Sequence, residues 1–116
     1  MGKRGMLEER IAEKHVKTFL DIIVMAMLNG EPMYGYNVIA AIHKEFGILL
    51  SPGSLYPALH FLEQNKLIEA NFDRGKIVYY VTPKGKMKFE NAFLAYRACM
   101  EMMANFVKVR GNFSTL

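Results

Sequence analysis

Apolar residues recur at the spacing of one helical face over residues 7–28, which predicts one long helix or two helices in line. The Asn-Gly-Glu-Pro segment at 29–32 predicts the end of this helix, because glycine closes helices and proline does not continue them. A second helix is predicted from about Tyr34 to Phe46, with Gly47 closing it.

The segment that follows Leu50 predicts a third helix with two alternative starts. Ser51 and Ser54 are both suitable caps, and Pro57 favours Ser54, since proline is tolerated in a first helical turn and breaks a helix interior. We therefore expect the regular helix from about Ser54 to Asn65. At about 100° per residue, the inward face comprises Leu55, Ala58, Leu59 and Leu62, while Pro57, His60 and Gln64 point outward and Tyr56 lies at the edge.

Two runs rich in β-branched and aromatic residues, 67–72 and 77–82, predict a pair of strands. The Asp-Arg-Gly-Lys segment between them contains the glycine of a tight hairpin turn. This turn places Arg74 and Lys76 at a projecting tip.

A last helix is predicted from about Lys84 to Val109, with Thr82 as its cap and Pro83 in its first turn. The fold class is therefore mainly α with a small β-hairpin: a winged helix-turn-helix, in the order α-α-α-β-β-α, with a long C-terminal helix. We expect residues 1–83 to form a DNA-binding domain with its N-terminal helix, and residues 84–116 to form a dimerisation helix and tail.

The apolar residues of the last helix form two neighbouring stripes, a band wider than packing on one small domain requires. Self-association explains this band more economically than burial within one chain. Cys99 lies inside the band and is expected to be a small buried residue. The stripe that we assign to the dimer interface comprises Phe89, Phe93, Tyr96, Met100, Met103 and Val107.

Composition excludes several classes of protein. The chain has 116 residues, 52% of them apolar and 22% charged, which fits one globular domain and not a disordered chain. One cysteine and three scattered histidines offer no metal-ligand spacing, so we expect no metal and no cofactor. No nucleophile–base pair, carboxylate pair or phosphate loop indicates an enzyme.

The chain is also expected to remain in the cytoplasm. Its most apolar run, Phe19 to Leu28, is half the length of about 20 residues that a membrane span needs. The segment after the basic start is charged, unlike that of a secretory signal. We therefore predict no membrane partner.

The net charge is +4, and residues 73–88 alone carry five basic residues against Asp73. A solubilising surface is one interpretation of these lysines and arginines. Their clustering around the hairpin tip favours the other, a patch that contacts the phosphates of a polyanion.

Several short motifs in fixed order resemble the PadR family of bacterial and archaeal transcriptional regulators. They are MYGY at 33–36, SPGSLYPAL at 51–59, LE at 62–63, LIE at 67–69 and YYVTPKG at 79–85. The resemblance extends from about Val24 to Lys88. It implies a homodimeric winged-helix repressor of operator DNA, with dimer contacts through the C-terminal and N-terminal helices and often a small-molecule inducer. The single helix after the wing is similar to the smaller PadR subgroup.

One departure from the family concerns the third helix, since residues 52–65 contain no lysine or arginine. The bidentate contact of arginine with guanine is therefore absent from this helix. We expect contacts with double-stranded DNA through polar and aromatic side chains, the helix start and the hairpin tip. The candidate DNA-binding residues are Ser51, Gly53, Ser54, Tyr56, Pro57, His60, Gln64, Tyr34, Arg74 and Lys76.

Three functions stay open at this point. The first is a dimeric, sequence-specific repressor, possibly relieved by a small apolar or aromatic effector. The second is an architectural DNA-binding protein with little sequence preference, which the absence of arginine on the third helix favours. The third is a winged-helix module that docks on another protein, because residues 18–72 carry a net negative charge.

Overall fold

The computed structural model describes residues 4–113, so the outer ends of the two expected domains lie outside the described residues. The elements in chain order are α1 (Met6–Thr18), α2 (Leu20–Gly30), β1 (Met33–Tyr34), α3 (Gly35–Phe46), α4 (Pro52–Gln64), β2 (Ile68–Asp73), β3 (Lys76–Val81) and α5 (Pro83–Gly111). The predicted fold class, a winged helix-turn-helix with a long C-terminal helix, is confirmed. The hairpin β2–β3 is called the wing below.

The N-terminal helical pattern belongs to two helices that meet at Phe19. The backbone of Phe19 leaves the helical region, with φ −107° and ψ 28°. Only Val16 of α1 is buried, whereas α2 contributes Leu20, Val24, Met25 and Leu28 to the core. The break separates a polar surface helix from an apolar core helix, so the alternative of two helices is the correct one.

The sheet has three strands in the order β1–β3–β2, all antiparallel. Strand β1 was not predicted, because two residues are too few to give a periodic pattern. Met33 pairs with Tyr79, and Tyr34 pairs with Val78. This short strand joins the MYGY segment to the wing.

The core lies between α2, α3, α4 and the sheet. Val24, Val38, Ile42, Leu55 and Ile68 have no measurable exposure. Burying one such side chain contributes about 1.5–3 kcal/mol to the free energy of unfolding. These side chains fix α4 by its inward face, on which Leu55, Leu59 and Leu62 are buried and Ala58 is partly buried.

Helix α5 begins on the core and then leaves it. Thr82 caps the helix by accepting a hydrogen bond from the Gly85 amide (2.9 Å), and its own hydroxyl donates to the Lys66 carbonyl (2.7 Å). Phe89 packs on the core, but most later side chains are exposed along a helix of 29 residues, about 44 Å long. No helix among residues 4–113 combines the length and apolarity that a membrane span requires.

Candidate nucleic-acid interface

The N-cap of helix α4 lies three residues earlier than predicted, since it is Ser51 and not Ser54. Pro52 occupies the first helical position, where a missing amide hydrogen has no consequence. The Ser54 and Leu55 amides both donate to the Ser51 carbonyl (3.0 and 3.1 Å). Pro57 therefore lies inside the helix, where it has no amide hydrogen to donate to the carbonyl of Gly53, a residue that is itself exposed.

The two serine hydroxyls at this helix start are not used as caps. Ser51 Oγ and Ser54 Oγ lie 3.2 Å apart and hydrogen-bond each other, and Ser51 and Gly53 are exposed. The N-terminus of a helix carries a partial positive charge and favours anions. The first turn of α4 thus presents hydroxyls and a helix N-terminus to solvent.

The outer face of α4 is uncharged up to Glu63. Tyr56, Pro57, His60 and Gln64 are all exposed there. Phe61, which the sequence analysis did not single out, is also 53% exposed. This face offers hydrogen-bonding and aromatic groups without a lysine or arginine.

Tyr56 links α4 to α3. A methyl group on the buried Gly35 would lie 2.7 Å from the Tyr56 hydroxyl oxygen, so the ring rests directly on the α3 backbone. The glycine of the MYGY motif permits this close approach, because a larger residue there would force the Tyr56 side chain to shift.

The wing ends in a two-residue turn in which both residues have positive φ, 53° at Arg74 and 81° at Gly75. Turns of this kind match the twist of antiparallel strands and favour asparagine or glycine. Arginine is uncommon in this left-handed conformation. Its presence places an exposed guanidinium group at the outermost point of the wing.

A tyrosine cluster, comprising Tyr34, Tyr36, Asp73 and Lys76, attaches the wing tip to the start of α3. The Tyr34 hydroxyl donates to Asp73 Oδ2 (2.7 Å), and the two tyrosine rings stack with centroids 5.6 Å apart. Lys76 Nζ lies 5.6 and 5.2 Å from the two ring centroids, within the range of a cation–π contact. These contacts hold the wing beside the segment on which Tyr56 rests.

The hydrogen bond to Asp73 raises the pKa of Tyr34 above its ordinary value. The hydroxyl is therefore protonated at neutral pH. The bond is present at neutral pH and is lost as the pH rises through the raised pKa. A phosphate oxygen only accepts hydrogen bonds, so the Tyr34 proton is not free for phosphate while Asp73 holds it.

Tyr34→Phe is expected to loosen the wing tip without unfolding the protein. Without its hydrogen bond, we expect amides between residues 72 and 77 to exchange with deuterium about fivefold faster. Tyr80→Phe is the control on the same hairpin, since it removes the hydroxyl that donates to Glu69 (2.5 Å) and accepts from Asn71 (3.3 Å) and leaves the bond to Asp73 intact. Equal exchange at the tip in wild type and Tyr34→Phe would contradict this account.

The basic residues at 73–88 do not form one patch. Arg74 and Lys76 lie at the wing tip, but Lys84, Lys86 and Lys88 belong to the first turns of α5. The six residues of β3 separate the two groups by about 20 Å. Lys84 Nζ instead donates to the Asn65 carbonyl (3.0 Å) at the C-terminal end of α4.

The residues assigned to self-association fall into two sets along α5. Phe89, Phe93 and Tyr96 line an apolar groove of about 750 Å³ between α1, α2 and α5. Met100, Met103 and Val107 follow on the part of α5 that extends beyond the core. Met103 and Val107 are 61% and 50% exposed, so the second set lacks cover in a single chain.

Two contacts shape this groove. Tyr96 Oη lies 2.8 Å from His15 Nε2, and the Tyr96 ring meets Phe19 edge to face at 4.8 Å. They hold α5 against the junction of α1 and α2. Cys99, one turn further along α5, is exposed, so its predicted burial is wrong for the single chain.

Comparisons with known proteins agree with this architecture. Residues 24–91 match the model of the transcriptional regulator PadR-like family, which is more than half of the chain. A transcriptional regulator from Clostridium thermocellum superposes with a TM-score of 0.74 at 21% identity, covering 82% of this chain and 96% of its own. A PadR family transcriptional regulator from Eggerthella lenta gives a TM-score of 0.73 at 21% identity, covering 90% and 98%.

A curated relative is similar over a shorter part of its length. An uncharacterized 37.1 kDa protein in transposon TN4556 of Streptomyces fradiae is 36% identical over 70 residues, which is 60% of this chain. The chain spans about a fifth (20%) of the length of that relative. The family match and the observed winged-helix fold together show that the protein belongs to the PadR-like family of transcriptional regulators.

Proposed function

We propose that the protein is a homodimeric, sequence-specific repressor that binds operator DNA in the cytoplasm through α4 and the wing. One observation carries this proposal: a continuous set of contacts joins the first turns of α4 to the wing tip. Tyr56 rests on Gly35, whose neighbours Tyr34 and Tyr36 bind Asp73 and Lys76. This arrangement supports simultaneous contact of both elements with one duplex.

In this proposal, α4 enters the major groove with its uncharged face toward the bases. His60 and Gln64 would contact base edges, and the amide of glutamine suits adenine in particular. Ser51, Ser54, Gly53 and the helix N-terminus would contact phosphate oxygens, as Arg74 would at the wing. Tyr34 would position the wing rather than bind DNA itself, because its proton is held by Asp73.

In this proposal, Tyr56 and Pro57 on the outer face of α4 would also contact DNA. Both are exposed next to the helix start. A tyrosine ring and a proline ring offer apolar contacts to the thymine methyl group and to sugars. Neither contact depends on salt in the way that a phosphate contact does.

We also propose that two copies associate by exchanging the far halves of α5. The groove between α1, α2 and α5 lacks cover, and the far half of α5 exposes an apolar stripe. One helix from each copy would fill the groove of the other, which gives a closed twofold dimer. Glu8 and Glu45 at the groove and Lys108 and Arg110 near the helix end provide opposite charges.

Phe93→Glu is expected to convert the dimer into a monomer, because it places a carboxylate in the groove where the partner helix would pack. Met87→Glu is the control on the same helix, at a side chain that is 77% exposed and outside the groove. Sedimentation at about 10 µM should show wild type and Met87→Glu at twice the mass of 13.3 kDa. A wild-type monomer at that concentration would contradict the proposed dimer.

The same groove supports the proposal of a small-molecule effector. Its volume of about 750 Å³ lies within the range of ligand pockets, roughly 300–1,000 Å³, and its lining is mostly aliphatic and aromatic. A planar apolar ligand beside Tyr96 and Phe93 would occupy part of the space that the partner's α5 takes in the proposed dimer, and would shift that helix. Such a shift would change the separation of the two α4 helices in the dimer. The helices would then no longer match the spacing of the two half-sites of a twofold operator.

The test of the proposed function is a titration of the purified protein with its own upstream DNA and with unrelated duplex at several salt concentrations. A preference of about a hundredfold or more for one site supports the repressor. Equal binding to both with a steep salt dependence would favour the architectural protein. No binding at moderate salt would favour a module that docks on another protein.

A further inference from the structure

The wing carries an exposed apolar pair just before its turn. Phe72 and Ile77 lie directly opposite each other on β2 and β3, next to the closing pair Asp73–Lys76. Phe72 is 80% exposed and Ile77 is 43% exposed. They occupy the same sheet face as the buried Tyr79, so the apolar face continues past the end of the core.

This pair is not accounted for by the fold or by the proposed dimer. Neither side chain belongs to the core cluster, and neither lines the groove between α1, α2 and α5. A single exposed apolar residue needs no explanation. Phe72 and Ile77, in contrast, face each other across a projecting hairpin whose tip carries two cations. Together they form an apolar surface at the end of the wing.

We propose that Phe72, supported by Ile77, is a wedge that enters the DNA minor groove and partly separates a base step. This inference rests on the proposed function and specifies how the wing would bind. Arg74 lies in the turn next to the pair, and Lys76 adds a second cation on the opposite face of the same hairpin, so the charge of the wing tip favours a polyanionic partner. Apolar wedges of this type unstack base steps and bend the duplex.

The absence of lysine and arginine from α4 leaves room for a second source of sequence preference, which such a wedge would supply. Since residues 52–65 have no lysine or arginine, direct readout of guanine by a charged side chain is absent from α4. Insertion at a base step would add selectivity of another kind, because pyrimidine–purine steps unstack more easily than others. Sequence preference would then extend to base pairs that α4 does not contact.

The tyrosine cluster holds the wedge in place. Asp73 follows Phe72 in the chain and is bound by the Tyr34 hydroxyl at 2.7 Å. Lys76, adjacent to Ile77, lies on the stacked rings of Tyr34 and Tyr36. A wedge on a fixed hairpin loses little conformational freedom when it inserts.

The test measures bending separately from binding. The probes are 40-bp duplexes from the DNA upstream of the protein's own gene, with donor and acceptor dyes at their ends. Wild type is expected to bring the dyes closer, and Phe72→Ala to lose at least half of that change while binding about 5–20-fold more weakly. Phe72→Leu should retain most of the bend, since leucine also acts as a wedge.

Arg74→Ala is the matched control on the neighbouring residue. It should weaken binding while leaving the bend of each saturated complex unchanged, because it removes charge and not the wedge. Wild-type binding without a bend, or equal bending by Phe72→Ala, would overturn the wedge and leave the proposed function standing. Absence of any binding to these duplexes would overturn both.

Discussion

Gly85→Ala is expected to lower the melting temperature by at least about 10 °C. Gly85 is buried in the first turn of α5, and a methyl group there would overlap the Leu67 carbonyl oxygen and lie 2.7 Å from Val81 Cγ2. The Leu67 carbonyl accepts from the Thr82 amide (3.0 Å) and hydroxyl (3.1 Å), so it cannot move away freely. We expect a loss of about 3–5 kcal/mol in the free energy of unfolding, and hence the stated shift.

Gly30→Ala is the control for this prediction. A methyl group at Gly30, the last residue of α2, would meet no atom within 4 Å. Thermal unfolding followed by circular dichroism should place this variant within about 2 °C of wild type. A Gly85→Ala protein that melts at the same temperature as the control would show that the start of α5 is not packed as closely on Leu67 and Val81 as described.

Replacing both Arg74 and Lys76 by alanine is expected to weaken binding to every DNA sequence by about a hundredfold at 0.1 M salt. Each protomer loses two cations at the wing tip, and a dimer loses four. Because each phosphate contact contributes about 0.9 to the slope of log affinity against log salt, the slope should flatten by about 3 to 4. Fluorescence anisotropy at several salt concentrations measures both quantities.

His60→Ala tests the contribution of α4 to sequence preference separately from the contribution of charge to DNA affinity. Its side chain is exposed on the outer face of α4, distant along the chain from the wing. We expect this variant to alter the preference between operator and unrelated DNA and to leave the salt slope unchanged.

The variant that lacks both Arg74 and Lys76 has a different contradicting outcome. If its salt slope equals that of wild type, the wing is not part of the proposed interface.

The periodic parts of the fold were predictable from sequence because each element has its own local pattern. The inward face of α4, the hairpin turn at Arg74–Gly75 and the Thr82 cap of α5 all follow from such patterns. The family itself was identified from motifs whose order the fold preserves. Local spacing and cap chemistry therefore suffice for the architecture.

The remaining features depend on contacts between distant residues. The tyrosine cluster joins Tyr34 to Asp73 across 39 positions of the chain, and β1 exists only because β3 offers it a partner. The start of α4 is at Pro52 and not near Ser54, because a proline in the first helical position favours this start and the helix also tolerates Pro57 in its interior. The basic residues at 73–88 are close together in sequence, which favours a single patch. In the fold, however, β3 separates them into two groups.

The candidate DNA-binding residues illustrate the same limit of local patterns. Exposure of His60 and Gln64 follows from helical phase alone. The exposure of Phe72 does not, since its strand pattern resembles that of a buried position and only the extent of the core shows that it is uncovered. Sequence patterns indicate which face a residue occupies, whereas the reach of the neighbouring elements decides whether that face is covered.

The scarcity of cations on α4 has a consequence for how the protein would behave among a large excess of chromosomal DNA. Loose, sequence-independent attachment scales with the number of phosphates that are neutralised, and here the wing tip supplies two cations to each protomer. Few molecules would then be sequestered at random positions along the chromosome. A small number of copies per cell would suffice to keep one operator occupied.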